Sequence, residues 1–441
     1  MSCGCGAARM LPATMQDAAH APSWYAASCS PPPPTAPLQG SVEADVAVIG
    51  GGLAGISGAL HLAERGRRVV LLEAHRLGWG ASGRNGGQAL VGVACGQAKL
   101  ERLLGDADAR LVWQASVDAV AMMRERSARH AIDCDWVDGH MMVADKPRHL
   151  RELEDAQAEF GRYGHGGTQL LDAAATRAQL ATGRYIGALL DPGSAHLHPL
   201  KYTLGLAAAA RAAGVQLHEG TRATDYMRRD GRIVVRTAGG ELRCDQLLLA
   251  GNTDLAEFAP ALARKIIAVD TYIVATEPIG ERRATELVRN NAAIADLNWI
   301  IDYYRRSADH RLLFGGRVSY SGMKQFEAVA ATRARMLRVY PQLAGVRIDY
   351  HRGGALDITV NRAPHFGRLQ PDVYFLQGFS GHGLALSGMA GCLAAEAMSA
   401  TSARFDAFAR IAHRDFPGGE LLRRPALVLA MLWYRMRDLL G

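Results

Sequence analysis

Asp45-Val-Ala-Val-Ile49, Gly50-Gly-Gly-Leu-Ala-Gly55 and Arg68-Val-Val-Leu-Leu-Glu73 belong to one unit. The first stretch is a short β-branched run of the kind buried on both faces of a parallel sheet. A glycine turn and a small-residue helix to about Arg65 follow, and the second strand ends in a carboxylate. Gly50 permits the tight turn out of the strand, with Gly51 beside it. Gly52 lets the backbone approach a pyrophosphate at the helix N-terminus, where Leu53 and Ala54 begin the helix. Gly55 lets that helix pack closely on the strand. Glu73, followed by Ala74, stands 18 residues after Gly55, where a carboxylate can accept from ribose hydroxyls. A glycine triplet of this spacing is weak alone, but strand, turn, helix, strand and acid together predict dinucleotide binding. The unit does not separate NAD from FAD. Glu73 opposes the 2′-phosphate of NADP, while Arg76 leaves that point open.

Working outward, 441 residues accommodate two or three domains, or one large cofactor domain carrying an insertion. Hydrophobic residues at 49% and charged residues at 21% predict a globular protein with a sizeable core. The net charge of +7 is spread along the chain without a basic, aromatic-interleaved cluster, which argues against a nucleic-acid platform. A mild preference for anionic substrates or a membrane surface stays open. Seven irregularly spaced cysteines without a Cys-x-x-Cys pair predict a reducing, cytoplasmic setting and no metal site. Cys3-Gly-Cys5 lies in a small-residue leader and reads as part of a disordered arm. The first 30 residues lack a signal-peptide pattern, and no run of ~18 apolar residues predicts a transmembrane segment. Ala426 to Tyr434 reads as a core helix or a peripheral anchor.

Residues 1–40 are predicted to form an arm and a proline-rich linker, with Pro31 to Pro34 extended and Trp24 and Tyr25 packed on the body. Helices are predicted over 97–130, 148–162, 201–213, 326–340 and 384–399. Strands are predicted at 215–218, 232–236, 246–250 and 373–377, with Gly239-Gly240 turning between 232–236 and 246–250. Residues 265–275 and 311–318 alternate as strands of a separate antiparallel sheet.

Directly after the dinucleotide unit comes Gly80-Ala81-Ser82-Gly83-Arg84-Asn85-Gly86-Gly87-Gln88. Its small residues expose backbone N–H groups, and Ser82, Arg84, Asn85 and Gln88 supply polar contacts. This stretch resembles the D-amino-acid oxidase and sarcosine oxidase superfamily of flavoproteins, where such a loop wraps the pyrophosphate and the inner edge of the flavin. The resemblance extends to Gly214–Thr224, whose backbone near Ala223 would meet adenine, and to the returning strand ending in Ala250, Gly251 and Asn252. It includes Gly378-Phe379-Ser380-Gly381-His382-Gly383-Leu384, which would set a helix N-terminus against the flavin pyrimidine ring, where anionic charge is favoured. Ser23–Ser28, Asp302-Tyr-Tyr-Arg305, Leu312–Gly316, Thr359–Pro364, Gly367-Arg368, Phe408–His413 and Pro417–Gly419 are similar to the bacterial gamma-glutamylputrescine oxidoreductase group. Together the likeness runs from about residue 22 to the C-terminus.

The resemblance implies an α/β fold: a Rossmann-like FAD-binding domain, with parallel sheet and β-meander, plus an inserted α+β substrate domain with an antiparallel sheet. The FAD domain is allotted 41–95, 195–258 and 350–441, and the cap 96–194 and 259–349. It also implies noncovalent FAD, because Ala355 follows Gly353-Gly354 where some relatives carry an attaching cysteine, and no histidine lies in 80–88. The strand around Leu312 to Phe314 lacks the lysine that helps those relatives react with oxygen, so oxygen and another acceptor both stay open.

The implied chemistry is oxidation of an amine CH–NH bond to an imine, which water hydrolyses to an aldehyde and free amine. The cofactor carries the hard step, so no dedicated acid–base pair is required. Strand alternation turns Tyr303 and Arg305 to one face. Arg305 is read either as the partner of a substrate carboxylate or as a surface residue flanked by packing tyrosines. Trp299 either walls the same pocket or packs in the core. His382 either contacts the flavin or substrate, or caps the backbone. A gamma-glutamylputrescine-like amine is the leading substrate. A D-amino or N-methyl amino acid, with electrons passing to quinone and the tail Pro425–Leu440 touching a membrane, is the second reading. A non-catalytic flavin-binding protein is the third.

Overall fold

The computed structural model describes residues 19–255, 258–319 and 325–417. Cys3, Cys5, Ala426–Tyr434 and the tail beyond Pro425 lie outside the described residues. The strands Val46–Ile49 and Val69–Leu72 are buried along their whole length, and both sit inside a six-stranded sheet. Its order is His365–Gln370, Val373–Gln377, Gln246–Leu249, Val46–Ile49, Val69–Leu72 and Gln216–His218. All neighbours are parallel except the edge strand His365–Gln370. Helix Leu384–Ser399 covers this sheet and is almost wholly buried. It packs tightly against helix Leu53–Glu64: a Cβ on Gly391 would lie 2.3 Å from the Ala54 carbonyl oxygen.

A second sheet of four strands joins Gly40–Glu43 to the meander Ala223–Arg229, Arg232–Thr237 and Gly240–Cys244. Here the structure corrects the sequence reading. The Gly239-Gly240 turn leads into Gly240–Cys244, a strand not predicted, before the chain reaches Gln246. The predicted helix 97–130 is also two helices, Gln97–Leu104 and Asp106–Arg129, because Gly105 takes a φ of +78° between them.

The third sheet is mixed, and its main path runs Ile348–Thr359, Ile266–Thr276, Leu312–Ser319, Tyr303–Arg306, Ala293–Asp296, Val137–Ala144, Gly187–His196 and Gln88–Ala89. Its pairings are antiparallel apart from Ala293–Asp296 on Val137–Ala144. Two of the allotted boundaries, 194/195 and 349/350, fall inside strands Gly187–His196 and Ile348–Thr359 of this large sheet, which also takes in Gln88–Ala89 from the FAD portion. Helix Asp106–Arg129, assigned to the cap, shares its apolar core with Leu53–Glu64 and Leu384–Ser399. A helix with one apolar stripe must bury it somewhere, and periodicity does not say against which sheet.

Candidate active site

A cavity of about 940 Å³ lies between the parallel sheet and the large mixed sheet. One end is the dinucleotide turn, where Gly50, Gly52, Leu53, Ala54 and Glu73 line it. Gly50 has a φ of +113°, and a Cβ there would meet the Ala250 carbonyl oxygen at 2.5 Å. Glu73 accepts from the Gly51 N–H at 2.6 Å and the His75 N–H at 2.8 Å. Burial raises its pKa to about 6, against the pull of those two backbone donors.

The 80–88 loop forms one long wall: Gly80, Ala81, Ser82, Arg84, Asn85, Gly86 and Gln88 all line the cavity. Ser82 Oγ accepts the Leu53 N–H at 2.9 Å, tying the loop to the start of the helix. Asn85 bonds its own loop, accepting from the Gly87 N–H and donating to the carbonyls of Ala81 and Ser82. The Arg84 guanidinium sits 4.1 Å from the Trp79 ring centroid. Ala250, Gly251 and Asn252 close the wall behind the turn.

The far end is formed by Phe379, Gly381, His382, Gly383 and Leu384, at the start of helix Leu384–Ser399. His382 donates through Nε2 to the Val91 carbonyl at 3.0 Å, the backbone bond that one of its two readings expects, and it does so from the cavity surface. Burial lowers its pKa, which keeps the ring neutral. Below the loop, the Asp357 carboxylate accepts the Gly378 N–H, and burial pushes its pKa up to about 7.

The opposite wall comes from the large sheet. Tyr303 lines it, wedged against Gly86 and Gly315, and burial raises its pKa to about 12. Trp299 is 42% exposed and lines the cavity, which overturns core packing as its role. Arg305 is the main correction. It shares a face with Tyr303, as alternation predicts, yet it is only 2% exposed and is not among the lining residues. Its Nε donates to the Gly86 carbonyl at 2.9 Å and its Nη2 to the Tyr25 hydroxyl at 2.9 Å. The guanidinium therefore props the loop from behind and has no access to a substrate carboxylate.

Six further sequence candidates also stand off the cavity surface: Gly51, Gly55, Ala74, Gly87, Ala223 and Gly378. Gly51 and Gly378 act through N–H groups given to Glu73 and Asp357. Gly55 lies under the Gly50 carbonyl, and Gly87, at a φ of +76°, under the Leu197 carbonyl. Ala223 begins a meander strand opposite Thr237. The sequence reading missed Trp79, Asp254, Asp270, Thr271, Ile301, Asp357 and Arg362, all of which line the cavity. Asp270 carries one local signal, since it faces out of the alternating strand 266–276.

These residues fit FAD. An acid stands at the ribose end, and a glycine turn with a helix N-terminus suits the pyrophosphate. A second helix N-terminus at Leu384 closes the other end, where it favours anionic charge. Ala355 lines the cavity and offers no group for covalent attachment.

Known proteins agree with this geometry. The chain is 40% identical to gamma-glutamylputrescine oxidoreductase of Escherichia coli over 423 residues, covering 96% of this chain and 99% of that one. It is 37% identical over 407 residues to the probable oxidoreductase OrdL of Haemophilus influenzae, covering 91% and 94%. Among solved structures, glycine oxidase from Geobacillus kaustophilus superposes with a TM-score of 0.72 at 21% identity, covering 85% of this chain and all of that one. L-proline dehydrogenase from P. horikoshii gives 0.71 at 19% identity, covering 85% and 98%. At such identities these structures speak for the fold. Residues 45–397 match the family described as FAD dependent oxidoreductase, and the chain belongs to that family, the DAO family.

Proposed function

We propose that this protein oxidises the terminal amine of an acylated diamine resembling gamma-glutamylputrescine. The observation that carries the reading is the 40% identity to gamma-glutamylputrescine oxidoreductase along nearly the full length of both chains. The cavity supports it. Trp299, Ile301 and Tyr303 offer an apolar wall for a methylene chain, and Asp270 offers a carboxylate for an ammonium group. Arg362 lines the same cavity and suits a glutamyl carboxylate. Bound FAD supplies the acceptor for the hydride from the carbon next to nitrogen. The protein holds that carbon against the cofactor and excludes water until the imine leaves. Hydrolysis of the imine then gives an aldehyde and, for a primary amine, ammonia.

The test is anaerobic mixing of the FAD-loaded protein with a substrate panel, followed by its visible absorbance. Bleaching by gamma-glutamylputrescine but not by D-alanine or sarcosine is the expected result. Bleaching by the amino acids alone would replace this reading with amino-acid oxidation, and no bleaching by any compound would remove it. Peroxide formed on readmitting air identifies oxygen as the acceptor. Its absence points to another acceptor, such as a quinone.

A further inference from the structure

The N-terminal segment lies along the nucleotide half of the cavity. The Ala19 carbonyl accepts from Trp79 Nε1 at 2.9 Å, and Trp79 lines the cavity. The Pro32 carbonyl accepts from Arg76 Nη2 at 2.5 Å, and the Thr35 N–H donates to Glu219 at 2.7 Å. Between these anchors the short helix Trp24–Ala27 buries Trp24 and Tyr25.

Tyr25 lies against two guanidinium groups. Arg352 is 4.1 Å from its ring centroid and Arg305 is 5.7 Å away. Arg305 also donates to the Tyr25 hydroxyl at 2.9 Å. The same two arginines end on carbonyls of the cofactor loop. Arg352 donates to Gly83 at 3.3 Å and to Asn85 at 2.6 Å, and Arg305 donates to Gly86 at 2.9 Å. The main charged and titratable neighbours of Arg352 are Tyr25, Tyr303, Arg305 and Arg84, with His198 close by against Tyr25, and none of these is a carboxylate. Two buried like charges repel, and only hydrogen bonds and ring contacts to their donors offset the cost of keeping them there. A ring face, a phenol oxygen and three loop carbonyls engage them here, and burial still lowers the Arg352 pKa to about 10.

We propose that Tyr25 is a positioning residue for FAD, pressing Arg305 and Arg352 onto the carbonyls of Gly83, Asn85 and Gly86. Through it the N-terminal segment acts as a strap that shapes the cofactor loop and retains the cofactor. The idea rests on FAD binding alone and is independent of the amine.

The experiment compares Tyr25→Ala, Tyr25→Phe and Trp24→Phe in the full chain. It measures the FAD dissociation constant, the visible circular dichroism of bound flavin, and Tm. Tyr25→Ala should raise the dissociation constant about tenfold or more and alter the flavin dichroism. Tyr25→Phe keeps the ring face and should restore most of the affinity. Trp24→Phe removes a neighbouring bond, Trp24 Nε1 to Asp309, without touching the loop. It should lower Tm while leaving FAD affinity within about twofold, a change of well under 1 kcal/mol. If Tyr25→Ala does not fold, Tyr25→Leu carries the same expectation. Wild-type affinity in that variant overturns the proposal, and so does an equal loss of affinity in Trp24→Phe.

Discussion

Glu73 Oε2 lies 2.6 Å from Gly51 N, so the acid at the end of the second strand holds the glycine turn that follows the first. Its other oxygen accepts the His75 N–H at 2.8 Å. Each carboxylate oxygen has a second lone pair, which leaves acceptors for ribose hydroxyls. One side chain therefore builds the turn and also lines the cavity.

Replacing Glu73 by Gln should break this arrangement, because an amide can accept only one of the two N–H groups and turns a donor toward the other. The expected result is FAD binding weakened about tenfold and a holoenzyme destabilised by about 1–3 kcal/mol. Flavin fluorescence titration and urea unfolding measure the two effects, and unchanged affinity would remove Glu73 from the cofactor site.

Gly55 and Gly52 should fail differently. A Cβ on Gly55 would lie 2.0 Å from the Gly50 carbonyl oxygen, a backbone atom that cannot step aside. Gly55→Ala should therefore yield little folded protein. A Cβ on Gly52 would instead meet the Ser82 hydroxyl at 2.9 Å, the end of a rotatable side chain. Gly52→Ala should fold, with a near-native far-UV spectrum, and bind FAD poorly. Normal FAD content in Gly52→Ala would contradict the assigned role of that glycine.

Asp357 sets a pH dependence. Its folded carboxyl titrates at about 7, above the ordinary 3.8, because burial disfavours the charge. The folded state thus keeps a proton that the unfolded chain has lost. This contribution to stability is full below about pH 4 and is lost as pH rises through about 7. Asp357→Asn keeps an acceptor for the Gly378 N–H and has no charge to bury. Its Tm relative to wild type should improve between about pH 5 and about pH 8. A difference that is constant with pH would show that Asp357 does not titrate there.

Trp299 should act on substrate and not on cofactor. Its ring is 42% exposed at the cavity wall contributed by the large sheet. Trp299→Ala should raise KM several-fold, up to about tenfold, through lost apolar contact. kcat and FAD affinity should change little. A weakened FAD complex would instead place the indole against the cofactor.

Much of this was legible because it is local. The spacing of Gly50, Gly52, Gly55 and Glu73 follows from the geometry of one strand, one turn and one helix, so it survives without any tertiary information. The helix Leu384–Ser399 and the glycine density of 80–88 are short-range properties too, but the cofactor roles of that loop and of the helix start came from the resemblance to the flavoprotein superfamily.

Tertiary structure decided which side chains reach the cavity. Alternation put Tyr303 and Arg305 on one face, but only Tyr303 lines the cavity, because Tyr25, 280 residues earlier in the chain, covers Arg305. Asp357 became a buried acid only when strand Ile348–Thr359 met the loop after Val373–Gln377. Helix Asp106–Arg129 likewise found its core beside Leu384–Ser399. A residue's own sequence sets its backbone preference and its chemistry. Its burial, and with it the choice between support and contact, depends on distant segments that only folding brings together.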